Sequence, residues 1–316
     1  MHRRSILAAP LAALPFAAAA QPGPIRLVVP YPPGGSVDAT ARIIAARIGQ
    51  STGQVFIVEN RAGANGTIGA EYVRRATPDG TVFLYSASIA VVLPLVVKNV
   101  PYDPLRDFIP VARVAEGPVL ISVATSVPGA TLDEVMRYAK ANEQKFNFAT
   151  TGVGGAGHIV TTRLKARYGI ESPMIGYRGA GPALNDLAAG VVHLVGDPIL
   201  SSLPVARAGR IRAVAVTAPT RSPAAPDIPT TAESGVPDLV GFSWYGLWAP
   251  LNTPADAVTR MAELATAAAG DPDVARRLTE FGFTPVSETG EAFARFQQDE
   301  FDRTAKVLRE AGVVPE

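Results

Sequence analysis

The sequence predicts an α/β protein, in two domains or one large one, with mixed, mostly parallel sheets. Short apolar runs alternate with stretches of helical periodicity along most of the chain, the pattern of strands covered by helices on both faces. At 316 residues the chain is long for a single core. One unit also occurs twice: a strand, a glycine-containing loop and an amphipathic helix, first over 27–48 and again over 146–168. In a parallel sheet ligands sit off the carboxyl ends of strands, where such loops and helix N-termini lie. Two such units in two domains could face each other across a cleft.

Ile25 to Val29 is an apolar run ended by YPPGGS at 31–36, too rich in proline and glycine to continue it. Val37, Ala41, Ile44 and Ile48 then follow the spacing of a helix with one buried face. A strand at 54–59 (QVFIVE), a helix at 69–76, a turn at Pro78-Asp79-Gly80 and a strand at 81–86 continue the alternation. Strands are expected next at 119–124, 146–150, 173–177, 191–195 and 210–217, with helices at 132–141, 158–168 and 182–189 between them. A proline-rich segment, 218–237, precedes the aromatic run FSWYGLWA at 242–249. From Pro254 onward the pattern is helical, with one short break at 282–286.

The 29 basic and 28 acidic residues leave a formal charge of +1, which supplies no long-range field for nucleic acid or an anionic membrane. Any anion must be bound locally. With no cysteine, disulfides, thiolate chemistry and cysteine-based zinc sites are excluded. The opening MHRRSILAAPLAALPFAAAAQ sets Arg3 and Arg4 before an apolar run that ends in Ala18, Ala19 and Ala20. It reads as an export signal over 1–20, cleaved before Gln21, and its paired arginines loosely resemble a twin-arginine signal. No later stretch approaches the roughly 18 uninterrupted apolar residues of a membrane span. The mature protein is expected to be soluble and outside the cytoplasm, with His158 and His193 as its histidines.

Inside NFATTGVGGAGHIV at 147–160, the glycines at 152, 154 and 157 spell G-x-G-x-x-G, the spacing of a dinucleotide-binding loop. The loop follows a strand and opens a helix, as that motif requires. The acidic residue due at the end of the next strand, to hold a ribose hydroxyl, is missing: Tyr177 and Arg178 stand there. What survives is the physics beneath the motif. Free N–H groups at a helix start, approached closely because glycine has no side chain, bind any anion of suitable shape, carboxylates included.

At this point the chain resembles a known family, the Bug-type periplasmic solute receptors of tripartite tricarboxylate transporters. The resemblance rests on YPPGGSVDATARII at 31–44, ENRAGANGTIGA at 59–70, TPDGT at 77–81, NFATTGVGGAGH at 147–158 and YRGAGPALNDLAAG at 177–190. GRIRAVAVT at 209–217 and DIPTTAESGVPDL at 227–239, with the aromatic strand before Ala249-Pro250, complete an ordered match over nearly all of the mature chain. It implies a type II periplasmic binding protein, a Venus flytrap of two α/β domains, here 21–122 with 246–316 and 123–245. It also implies a small organic acid in the cleft between them, no cofactor, no nucleic acid, and the membrane permease subunits of such a transporter as partners.

By position, the resemblance makes the ligand loops Tyr31 to Asp38 and Thr151 to His158, including Gly152, with Gly35, Ser36, Gly154 and Gly155 as amide donors. Asp38 lies just inside a helix, where an acid favours the positive end. Ser86 and Ser88 end a strand on the side expected to face the cleft, His158 and Tyr177 are further candidates for contact, and His193 reads as a satisfied core histidine. The chain departs from the family at Gly176, Arg178, His193 and Gly196. Asp197 remains at a strand end, and an acid in a cleft made for anions must bind a ligand's ammonium or hydroxyl, share a proton, or work through water. Catalysis finds no G-x-S-x-G, H-E-x-x-H or G-x-x-x-x-G-K-[ST] motif to rest on. The expectation is a binding receptor, not an enzyme.

Overall fold

The computed structural model describes residues 23–315, so the export signal expected over 1–20 lies outside the described residues. The first unit runs β1 (Ile25–Val29), α1 (Ser36–Thr52), β2 (Phe56–Asn60), α2 (Thr67–Arg74) and β3 (Val82–Ala87). A short helix α3 (Ile89–Val92) leads to the long strand β4 (Phe108–Val123), then α4 (Leu132–Ala141), β5 (Phe148–Thr150), α5 (Ala156–Arg167) and β6 (Met174–Gly176). α6 (Ala180–Ala188), β7 (Leu194–Pro198), α7 (Ile199–Arg207), β8 (Arg212–Val216) and β9 (Phe242–Pro250) follow. The chain closes with α8 (Ala255–Gly270), α9 (Pro272–Glu280), β10 (Thr284–Thr289) and α10 (Gly290–Glu310).

One hydrogen-bonded path runs β2-β1-β3-β9-β4-β7-β5-β6, with β10 and β8 added on β4. Up to Pro118, β4 pairs with β9 and β10; from Val119 it pairs with β7 and β8. A single strand thus passes from one sheet region into another. Among the named strands the parallel pairs are β1 with β2 and β3, and β5 with β6 and β7. Every pairing of β4 and β9 is antiparallel, a larger share than the alternation of strands and helices predicts.

The helix stripe expected from the spacing of Val37, Ala41, Ile44 and Ile48 is buried on α1, beneath a C-terminal Gly53 at φ 70°. α4 begins with a reciprocal capping box between Thr131 and Glu134. Differences from expectation cluster around β4. Its first half carries Pro110, Arg113, Glu116 and Gly117, which hide a strand from any alternation rule, and Arg113 is buried because Glu116 (2.6 Å) and Glu288 (2.7 Å) pair with it. The break expected near 282–286 is the strand β10, which brings Glu288 to Arg113. α7 has no counterpart among the expected helices: Pro204 lies inside it, while Ile199, Leu200 and Leu203 pack into the core that also holds Leu27, Ile44 and Met261. A second core centres on Val119, Ile121, Phe148, Leu164 and Leu194.

Candidate functional site

The two glycine loops share one geometry. In the first, Gly34 takes φ 87°, Gly35 is the N-cap of α1, and no side chain caps that helix. In the second, Gly154 takes φ 86°, Gly155 is the N-cap of α5, and again no side chain caps it. The first amides of a helix have no intrahelical acceptor. Those of Ser36 and Val37, and of Ala156 and Gly157, therefore open at the starts of two helices, and all four residues line one cavity of about 90 Å³. The starts of α6, at Gly179 and Ala180, and of α7, at Pro198, reach the same wall. None of the residues lining it is Lys, Arg or His.

Several expected positions fall on this cavity: Tyr31, Gly35, Ser36, Ser88, Thr151, Gly152, Gly155 and Asp197. Asp38 lines it too, but its carboxylate is already engaged. It accepts from Gly34 N at 3.0 Å, from Asn60 Nδ2 at 3.0 Å and from Arg42 at 2.9 Å. Burial works to raise this carboxyl, and the bonds from Arg42, Gly34 and Asn60 outweigh it and hold the group below the usual carboxylate range. Asp38 shapes the loop and has no free oxygen aimed at an anion.

The amide donors expected in the second loop need correction. Gly155 N donates to Gly152 O at 3.0 Å, and Gly154 N to His158 Nδ1 at 3.3 Å, because the loop closes on itself before the helix begins. Gly154 lies off the cavity altogether, packed near Val96 and Leu93. The open amides are one or two residues further on, at Ala156 and Gly157. His158 is likewise part of the loop: burial, then the charge of Lys165, pushes its ring down to about 4, so it is a neutral acceptor. Ser86 is buried under Tyr31, whose hydroxyl lies 3.1 Å from Ser86 Oγ. Tyr177 turns away to donate to Asp186 at 2.6 Å, a bond that with burial raises its phenol to about 12. His193 is half-buried, not a core residue; its Nδ1 accepts from Asn147 N at 2.9 Å and its ring stacks on Phe146.

Asp197 is 2% exposed and accepts from Thr151 Oγ1 at 2.7 Å and Ser201 Oγ at 2.6 Å. Burial pushes its carboxyl up to about 6, against the two hydroxyls. Sequence reasoning missed Ser201, although it stands one helical turn after Asp197. It also missed Ser243 and Tyr245, which β9 delivers from a distant part of the chain: Tyr245 donates to Ser36 Oγ at 2.9 Å, and Ser243 to Tyr245 at 3.1 Å. A larger hollow of about 520 Å³ lies beyond Ser88 and Ala156, and its cationic side chains are engaged. Arg163 donates to the carbonyls of Asp238 and Val240, Arg303 pairs with Glu300, and Glu116 with Arg113. The small cavity, with its unengaged amides, is the better place for an anion.

Residues 40–313 match the family model described as the tripartite tricarboxylate transporter family receptor. The chain belongs to this receptor family. The structure of R. palustris Rpa4515 with adipate is 36% identical and has a TM-score of 0.90, over 93% of this chain and 99% of that one. The periplasmic binding protein BugD is 32% identical with a TM-score of 0.88, over 93% and 99%. MatC from Rhodopseudomonas palustris with bound malate is 31% identical with a TM-score of 0.83, over 91% and 99%. As in other members of this tricarboxylate-receptor family, the fold is that of a periplasmic binding protein. Among the described residues no helix is long and apolar enough to cross a membrane.

Proposed function

We propose that the chain captures a small organic carboxylate in the cavity between two domains, 21–122 with 246–316 and 123–245. It then closes around the acid and presents it to the permease subunits of a tripartite tricarboxylate-type transporter in the bacterial envelope. The observation that carries this reading is the convergence of two uncapped helix N-termini, those of α1 and α5, on one cavity without a basic side chain. Each helix end favours an anion by roughly 0.3 to 1 kcal/mol when exposed and up to about 2 when partly buried, and the two act on the same carboxylate. The hydroxyl of Ser88 adds a polar contact that needs no charge, and the chain in which Ser243 donates to Tyr245 and Tyr245 to Ser36 leaves the Ser36 hydroxyl free to donate. Two relatives bearing adipate and malate in their structures support an acid as the ligand class.

The test is a melting screen of the mature protein against mono-, di- and tricarboxylates, aromatic acids, amino acids and NAD(H). A ligand at about 100 times its dissociation constant adds roughly 2.7 kcal/mol, a shift easily read. One acid class raising the melting temperature is the expected result; a shift by NAD(H) alone would refute the reading. Closure requires that the acid favour the closed state. Solution scattering should therefore show compaction with the acid bound, and an unchanged profile would remove closure from the mechanism.

A further inference from the structure

Asp197 shares the cavity with the two helix ends, an acid in a place shaped for acids. A carboxylate has room for about four hydrogen bonds. Asp38 takes three, one of them from the guanidinium of Arg42, whereas Asp197 takes two, from Thr151 just after β5 and Ser201 in the first turn of α7. Those two hydroxyls and burial are what act on it, with no cation among them. The hydroxyls fix the direction of the carboxylate and leave lone pairs unfilled. A ligand carboxylate seated on the amides of Ser36, Val37, Ala156 and Gly157 then puts a second acceptor-only group into the cavity that Asp197 lines. Two carboxylates sharing one small site with no basic side chain in its lining do not both remain ionised without a donor between them.

We infer that the bound acid presents a hydrogen-bond donor to Asp197, which makes this residue the determinant of which carboxylic acids the receptor accepts. This rests on the carboxylate-receptor reading above. The donor has two sources: a hydroxyl or ammonium beside the captured carboxylate, or a proton taken up together with an unsubstituted acid. The other titratable groups around the cavity do not compete. Asp38 is paired with Arg42 and held ionised, the phenols of Tyr31 and Tyr245 are raised above their ordinary value by burial, and His158 on α5 stays neutral down to about pH 4.

Titration calorimetry between pH 6.5 and 8.5 separates the sources, using matched acids: succinate, malate and aspartate, then adipate with its 2-hydroxy and 2-amino forms. If the substituent is the donor, the substituted acid binds at least about tenfold more tightly at pH 8, and Asp197→Asn narrows that gap. If the donor is a proton, the unsubstituted acid binds with uptake of up to one proton, visible as heats that differ between phosphate and Tris. Its affinity then falls by up to about tenfold per pH unit, because Asp197 is ionised in the empty receptor above about 6 and must be neutral in the complex. Asp197→Asn, which keeps the shape, removes that slope; should the variant not fold, the buffer comparison on the native protein carries the test. Equal affinity across each matched series, with heats independent of buffer and no pH slope, overturns the inference and leaves the carboxylate reading standing. A third matched pair is built on whichever acid the melting screen returns; if no acid of the screen or of these series binds, the carboxylate reading falls and this inference with it.

Discussion

At Gly34 and Gly154 the backbone takes φ of 87° and 86°, the next glycine caps a helix, and a side chain four residues on turns back to accept the first glycine's N–H. That side chain is Asp38 in one loop, at 3.0 Å, and His158 in the other, at 3.3 Å. The same backbone device thus accepts an anionic or a neutral acceptor, provided the surroundings match. Arg42 and Asn60 compensate the charge of Asp38; His158, with no acid beside it, is kept uncharged by burial. The position between cap and acceptor differs as well. Val37 fills a core pocket, while its counterpart Gly157 lies so close to Gly196 O that an added Cβ would stand 1.9 Å away. The first loop is held by its own helix and the second is pinned to the neighbouring strand.

The largest expected effect tests whether the two loops act together. Gly35→Trp and Gly155→Trp should each weaken acid binding by at least about 100-fold, roughly 2.7 kcal/mol, in calorimetry. The fold should survive, since a Cβ at Gly35 meets open space and one at Gly155 approaches only Gly152 O, at 3.1 Å. Full affinity in either variant would mean that one loop alone holds the acid. Next, Gly157→Ala should cost about 2–3 kcal/mol of stability by overpacking, against about 1 for Val37→Ala, measured by denaturant unfolding. Equal costs would dissolve the distinction between a pinned and an unpinned loop.

The third effect separates the acceptors by pH. His158 binds its proton at about 4 when folded and at about 6.5 when unfolded, so its stabilising contribution is complete above 6.5 and drains away as pH falls towards 4. Between pH 7 and 4.5 the native protein should lose about 2 kcal/mol through this group, and His158→Gln should flatten that part of the curve. Asp38, whose carboxyl is lowered, contributes fully above about 3.9 and loses its effect only below that, so Asp38→Asn should leave the pH 7 to 4.5 slope unchanged. The smallest effect lies outside the cavity. Tyr177→Phe removes the bond to Asp186, costing about 1 kcal/mol of stability, and should leave affinity within about twofold.

Local pattern carried much of the fold. The run Ile25–Val29 and the helix Leu132–Ala141 stand where apolar spacing puts them. The first half of β4 was illegible because part of its evidence is remote: Arg113 is buried in a strand interior between the nearby Glu116 and Glu288, which arrives on β10 175 residues later. α7 was hidden by Pro204, and its burial depends on a core assembled from the other end of the chain. In the candidate cavity, the glycine loops were visible as composition. Which amides stay open was not, because that depends on Gly152 O and His158 Nδ1 folding back to occupy the preceding ones. Tyr245, 209 residues from Ser36, left no local signal at all.

The amides at the two helix starts belong to the peptide chain itself. Every residue except proline provides such a group, so a change of side chain at most loop positions alters the walls and leaves the anchor intact. A lineage built on this scaffold is free to trade one acid for another by remodelling what surrounds the carboxylate. Its grip on the carboxylate itself is inherited with the backbone.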